Sequence, residues 1–142
     1  MNTGIVIPHL GSAQMSFEAI NLVNKLDNAV LFFEQLVAPC IEPKCATMCV
    51  NELMSFRGTL ITTNISNTIM ASKLINKSVV KHIFYVWDLE WLRPNKNNFL
   101  YNLQAYKAPQ ILVARSQEHV NPIANYCNRI PIVKSFEEVL EC

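Results

Sequence analysis

Apolar and polar positions along this chain fall into two alternating rhythms, short continuous apolar runs and longer stretches with helical spacing. Gly4-Ile5-Val6-Ile7 is a β-rich run closed by Pro8. From Met15 to Leu26, Phe17, Ile20, Val23 and Leu26 recur at intervals of three, the spacing of one helix face. Ala29 to Phe33 is apolar throughout, as expected of a strand buried on both faces. Thr59 to Thr63 is a second β-branched strand. A helix follows it from Ile65 to Asn76, with Ile65, Ile69 and Leu74 near one face and Asn64 or Ser66 as cap. His82 to Trp87 is the strongest strand pattern in the chain. Asn98 to Tyr106 reads as a helix bearing Phe99, Leu100, Leu103 and Tyr106, and Gln110 to Ala114 as a strand. Pro122 to Asn128 reads as a short helix capped by Asn121 with Pro122 at its first position. Ile130 to Lys134 is the last strand, and Ser135-Phe136-Glu137-Glu138 is a capping box opening a final helix. Between Pro39 and Gly58 the pattern is weaker: Ala46 to Val50 suits a strand and Asn51 to Phe56 a helix, with Gly58 just past its end. Asn95 to Asn98 is a polar loop.

Strands that alternate with helices predict an α/β fold. Right-handed crossovers then give a doubly wound, mostly parallel, Rossmann-like sheet. The expectation is one domain over residues 1–142, with about six or seven strands. Such a length buries roughly two thirds of its unfolded surface, so the core needs neither disulfide nor metal.

Composition narrows the function. Hydrophobic residues make up 51% and charged residues 16%, which excludes a disordered tail. Twelve basic against 11 acidic residues leave a net charge of +1, without the basic excess of a nucleic-acid binder. No apolar run is long enough to span a bilayer, and the start lacks a basic signal-peptide region, so a cytoplasmic protein is expected. The five cysteines then read as free thiols. Cys40, Cys45 and Cys49 cluster, but without the close pairing that zinc favours. The first loop, Pro8 to Gln14, carries one glycine where a dinucleotide site needs three, and there is no Walker lysine. The expected cofactor set is therefore none, and so is the metal set.

In a doubly wound sheet, ligands bind beyond the carboxyl ends of the strands. The polar residues at those positions are His9, Gly11 and Ser12 after the first strand, and Asn64, Ser66 and Asn67 after the Thr59 strand. Asp88 and Glu90 follow the His82 strand, and Arg115, Ser116, Glu118 and His119 follow the Gln110 strand. A histidine, carboxylates and amides converging on one edge suit a polyhydroxylated ligand and acid–base work. Asn64, Ser66 and Ser116 equally suit helix caps. Phe84, Tyr85, Trp87 and Trp91 put an aromatic stripe around Asp88, which suits sugar stacking or plain core packing.

Gly58 to Asn64, the helix after it, and Lys81 to Glu90 resemble the N-terminal domain of GT-B fold glycosyltransferases. There a strand ending in Thr-Asn or a similar pair is followed by one ending in a Gln-Asp-x-Glu-like motif. Trp87-Asp88-Leu89-Glu90 has tryptophan in place of the glutamine. Leu112 to His119, Ile130 to Val133 and the opening Gly4 to Ser12 resemble further strands and the acceptor loop. The resemblance implies His9, Asp88 and Glu90 as catalytic groups and places Gly11 on the acceptor side. Ser12, Asn64, Ser116 and Glu118 join the acceptor-binding set from their strand-end positions. A GT-B enzyme has two such domains, and its donor-binding residues have no counterpart here. The expectation is thus a glycosyltransferase-like domain that binds a sugar acceptor and needs a protein partner carrying the donor. The alternative is a non-catalytic binding or structural protein that self-associates or docks on a larger assembly. A receiver-like or flavodoxin-like signalling domain is the weakest alternative, since the acidic pair and the hydroxyl-rich cradle are absent.

Overall fold

The computed structural model describes residues 2–75, 79–93 and 98–142. The expected helix end at Asn76 and the loop from Asn95 to Asn97 lie outside these residues. Seven strands form one sheet: β1 Thr3–Ile7, β2 Ala29–Phe33, β3 Ala46–Cys49, β4 Gly58–Thr62, β5 Val79–Val86, β6 Ile111–Ala114 and β7 Ile132–Val133. Among the described residues the α-helices are α1 Gln14–Val23, α2 Ile65–Leu74, α3 Phe99–Lys107 and α4 Val120–Cys127. Every pairing is parallel, and the strand order is β3-β2-β1-β4-β5-β6-β7. The doubly wound, Rossmann-like expectation therefore holds.

The order reverses between β1 and β4, and this switch point is where the crossovers diverge to opposite faces. Ile5, Ile7, Leu31, Ile61, Ile83, Tyr85 and Val113 point to one face, under α1 and the C-terminal residues Phe136 and Val139. Phe84, Val86, Leu112 and Ala114 point to the other, under α2, α3 and α4. Val6, Phe32 and Leu60 continue that second face beneath the 3-10 segment Val50–Ser55 and Ala71. Alternate residues of the same strands thus feed two separate cores.

Several local expectations are corrected. The segment after β3 is 3-10 rather than α-helical. Gly58 opens β4 at φ +129°, and a Cβ there would sit 2.2 Å from the Asn2 carbonyl oxygen, so its role is close strand approach rather than helix termination. α4 begins at Val120, which moves Pro122 inside the first turn and removes Asn121 from the cap. After β7 the Glu138 N–H donates to Ser135 Oγ at 3.3 Å, one half of the expected box, and the segment that follows is a 3-10 turn, Glu137–Glu141, with Phe136 at its N-cap position. α1 stops at Val23, and Phe17, placed by spacing on its buried face, is 51% exposed. On α3, Phe99 and Leu100 are likewise exposed while Tyr106 is buried.

Candidate functional site: two clefts at the carboxyl edge

The switch point carries a dense polar network. Asn64 caps α2 by accepting the Asn67 N–H at 2.7 Å, and Asn67 Oδ1 accepts the Thr63 and Asn64 N–H groups, each at 3.1 Å. Asn67 Nδ2 donates to the Val6 carbonyl at 3.3 Å and to Thr63 Oγ1 at 3.2 Å, and Thr63 Oγ1 donates to Val6 at 2.7 Å. Because strands end here with carbonyls and amides unpaired, these side chains complete the backbone's hydrogen bonding and tie β1 to β4. Glu90 Oε2 accepts the Ile65 N–H at 2.8 Å, placing a carboxylate on the positive end of α2. Behind this layer His82 Nε2 lies 3.1 Å from Thr62 Oγ1, to which Thr68 Oγ1 donates at 2.8 Å. Burial pushes the His82 imidazole down to about 4, so it is neutral at physiological pH.

In front of the network lies a cleft of about 300 Å³ lined by residues from three strand ends: Pro8 and Ala13–Met15 after β1, Thr63 and Asn64 after β4, and Trp87, Asp88, Glu90 and Arg93 after β5. Asn64, Asp88 and Glu90, three of the eight candidate site residues, are brought together here. Their roles differ. Glu90 is buried against the α2 terminus. Asp88 stands at the cleft surface, where Arg93 Nη2 donates to its Oδ2 at 2.6 Å.

The other candidates lie elsewhere. His9 is in the β1–α1 loop, outside the cleft lining, and its Nδ1 accepts the Gly11 N–H at 3.0 Å. Gly11 is buried, and a Cβ there would lie 2.6 Å from Val37 Cγ1, so it serves packing of the following loop. Ser12 borders a shallow depression with Phe17 and Cys40. Ser116 leads into the turn Gln117–His119 with its carbonyl accepting the His119 N–H at 3.1 Å, and Glu118 is exposed on that turn. Neither lines either of the two clefts. Among the described residues, no group of three His, Cys, Asp or Glu side chains is placed to hold a metal, and all five cysteines are free.

A second, larger cleft of about 640 Å³ lies beside the first, between α1 and the C-terminal segment. Tyr85, Trp87 and Phe136 form its aromatic floor, with Phe17 from α1 on its wall. The parallel register pairs Val86 with Ala114, so the next residues, Trp87 and Arg115, emerge side by side. The Arg115 guanidinium accordingly lies over the Trp87 ring, 4.4 Å from its centroid. Burial pushes the Tyr85 phenol up to about 12, and its hydroxyl donates to the Lys134 carbonyl at 3.2 Å. Gln14 and Trp87 line both clefts. Strand-end polarity pointed to Arg115 but not to this second cleft, whose floor is aromatic; adjacency of Trp87 and Arg115 on neighbouring parallel strands is the signal that does. Trp91, by contrast, stacks on Tyr126 at 4.1 Å on the opposite face and acts as cover. No family model matches the chain, and no curated protein matches it.

Proposed function

We propose that this domain binds a polyhydroxylated acceptor in the switch-point cleft and acts as the acceptor half of a split glycosyltransferase. The observation that carries the reading is Asp88, an exposed carboxylate fixed by Arg93 between the Asn64 side and the Trp87 wall of a small-molecule-sized cleft. Asp88 takes the proton of an acceptor hydroxyl as that oxygen attacks the anomeric carbon of a nucleotide sugar held by a partner chain. The nucleotide diphosphate leaves with the electron pair of the broken C–O bond. Stabilising that departing charge falls to the partner. Glu90 positions α2, and with it Asn64, rather than exchanging protons.

The test supplies the purified chain to cell extract together with labelled nucleotide sugars and glycoside acceptors. Transfer that depends on added chain and is lost in Asp88→Asn supports the reading. Transfer that is independent of the chain contradicts it. A second reading, a non-catalytic component of a larger assembly, is favoured by the exposed Ile132 and Val133 on edge strand β7 and the exposed Ile130 just before it. Native mass spectrometry separates the two, since a stable homo-oligomer sealed along β7 needs no acceptor.

A further inference from the structure

We infer that the larger cleft is a binding site for a small ring compound carrying a single oxyanion, a carboxylate or a phosphate, anchored by Arg115. This does not rest on the transferase reading: it concerns a different cleft, which shares only Gln14 and Trp87 with the first. The cations that line the two clefts differ in their partners. Lys25 is paired with Glu137 at 2.8 Å and Arg93 with Asp88 at 2.6 Å. Among the described residues no carboxylate forms an ion pair with Arg115. The guanidinium carbon lies over the Trp87 ring, 4.4 Å from its centroid, and a guanidinium takes an oxyanion through a fork of two parallel N–H bonds. A stacked arginine is also preorganised, so little side-chain freedom is lost on binding.

The rest of the cleft suits a ring. Tyr85 and Phe136 meet edge to face at 5.1 Å, and Trp87 and Phe136 at 6.1 Å, giving a fixed apolar floor. Phe17 is half-exposed on the wall, an apolar surface that a bound ring would remove from water. Gln14, Asn21 and Ser135 offer hydrogen-bonding groups at the rim. Glu18 also lines the cleft and opposes a second anionic group, which limits the ligand to one. A volume of about 640 Å³ at the carboxyl ends of β5 and β6 is of the size and in the place where such folds hold small molecules.

The isotope-labelled chain is titrated by NMR with benzoate, phenyl phosphate and the neutral benzyl alcohol, and with acetate and inorganic phosphate as ringless anions. Benzoate or phenyl phosphate should shift resonances of Phe17, Arg115 and Phe136, with millimolar affinity, as so few atoms supply. Tighter binding of one over the other identifies the oxyanion as carboxylate or phosphate. Benzyl alcohol and the ringless anions should bind about tenfold more weakly, and Arg115→Gln should weaken the aromatic anions by about tenfold. Arg115 is exposed, so the variant keeps its fold, and unchanged amide shifts of the sheet verify this. Three results overturn the inference: equal binding of benzyl alcohol, unaltered binding in Arg115→Gln, or no response to either aromatic anion at about 20 mM.

Discussion

The two clefts share a wall yet are built on opposite principles. Behind the switch-point cleft the polar residues Thr62, Thr63, Asn67, Thr68 and His82 are buried and direct their hydrogen bonds to one another and to strand ends. The larger cleft has an aromatic floor of Tyr85, Trp87 and Phe136, and Arg115, without an ion-pair partner among the described residues, faces solvent above it. Polarity at a strand end therefore marks structure when the backbone consumes it, and a site only where a group is left for a ligand. Asp88 and Glu90, two residues apart, make the same contrast within one loop: one carboxylate stands at the cleft surface and the other caps a helix.

The contrast predicts that substitutions in the buried network cost stability, while substitutions on the cleft surfaces cost binding. The largest effect is expected at Asn67, whose side chain completes the hydrogen bonding of both β1 and β4. Asn67→Leu should destabilise by about 3 kcal/mol or more in urea unfolding, since it strands several buried backbone groups. A loss below about 1 kcal/mol would break the comparison at its strongest point.

His82 gives a pH dependence of similar size. Its pKa is about 4 in the folded chain against 6.5 for an unburied imidazole, so below 6.5 the unfolded chain takes up a proton that the folded chain does not. The stability is fully present above pH 6.5 and declines as pH falls toward 4, by up to about 3 kcal/mol. Urea midpoints measured across that range should fall in the parent and flatten in His82→Gln.

Glu90→Ala should cost about 2 kcal/mol, by removing a charge-assisted bond to the α2 N-terminus. Glu90→Gln, which keeps an acceptor oxygen, should recover roughly half of that. The smallest stability effect is expected at Asp88. Its ion pair is exposed, so Asp88→Asn should leave unfolding within about 0.5 kcal/mol of the parent while abolishing chain-dependent transfer.

Much of this fold was legible in the sequence. The apolar runs at β1, β2, β4, β5 and β6 mark strands because a parallel sheet covered on both faces demands continuous hydrophobicity. β7 and β3 are short edge strands, where that demand weakens and boundaries shift. Asn64 was legible both as a cap and as a cleft residue, and it is both. The fates of Glu90 and Gly11 were not, because a nearby helix N-terminus and the Val37 side chain decide them and neither follows from local spacing. Phe17 misled for the same reason: periodicity assigns it to a face, but only tertiary packing says whether anything covers that face.

The most direct measurement is chemical-shift mapping with a panel of neutral glycosides on the labelled chain. The expected result is a cluster of perturbations at Thr63, Asn64, Trp87 and Asp88 for at least one glycoside, weakened in Asp88→Asn while the sheet amides stay unchanged. Perturbations absent from that cluster across the whole panel would contradict acceptor binding at the switch point.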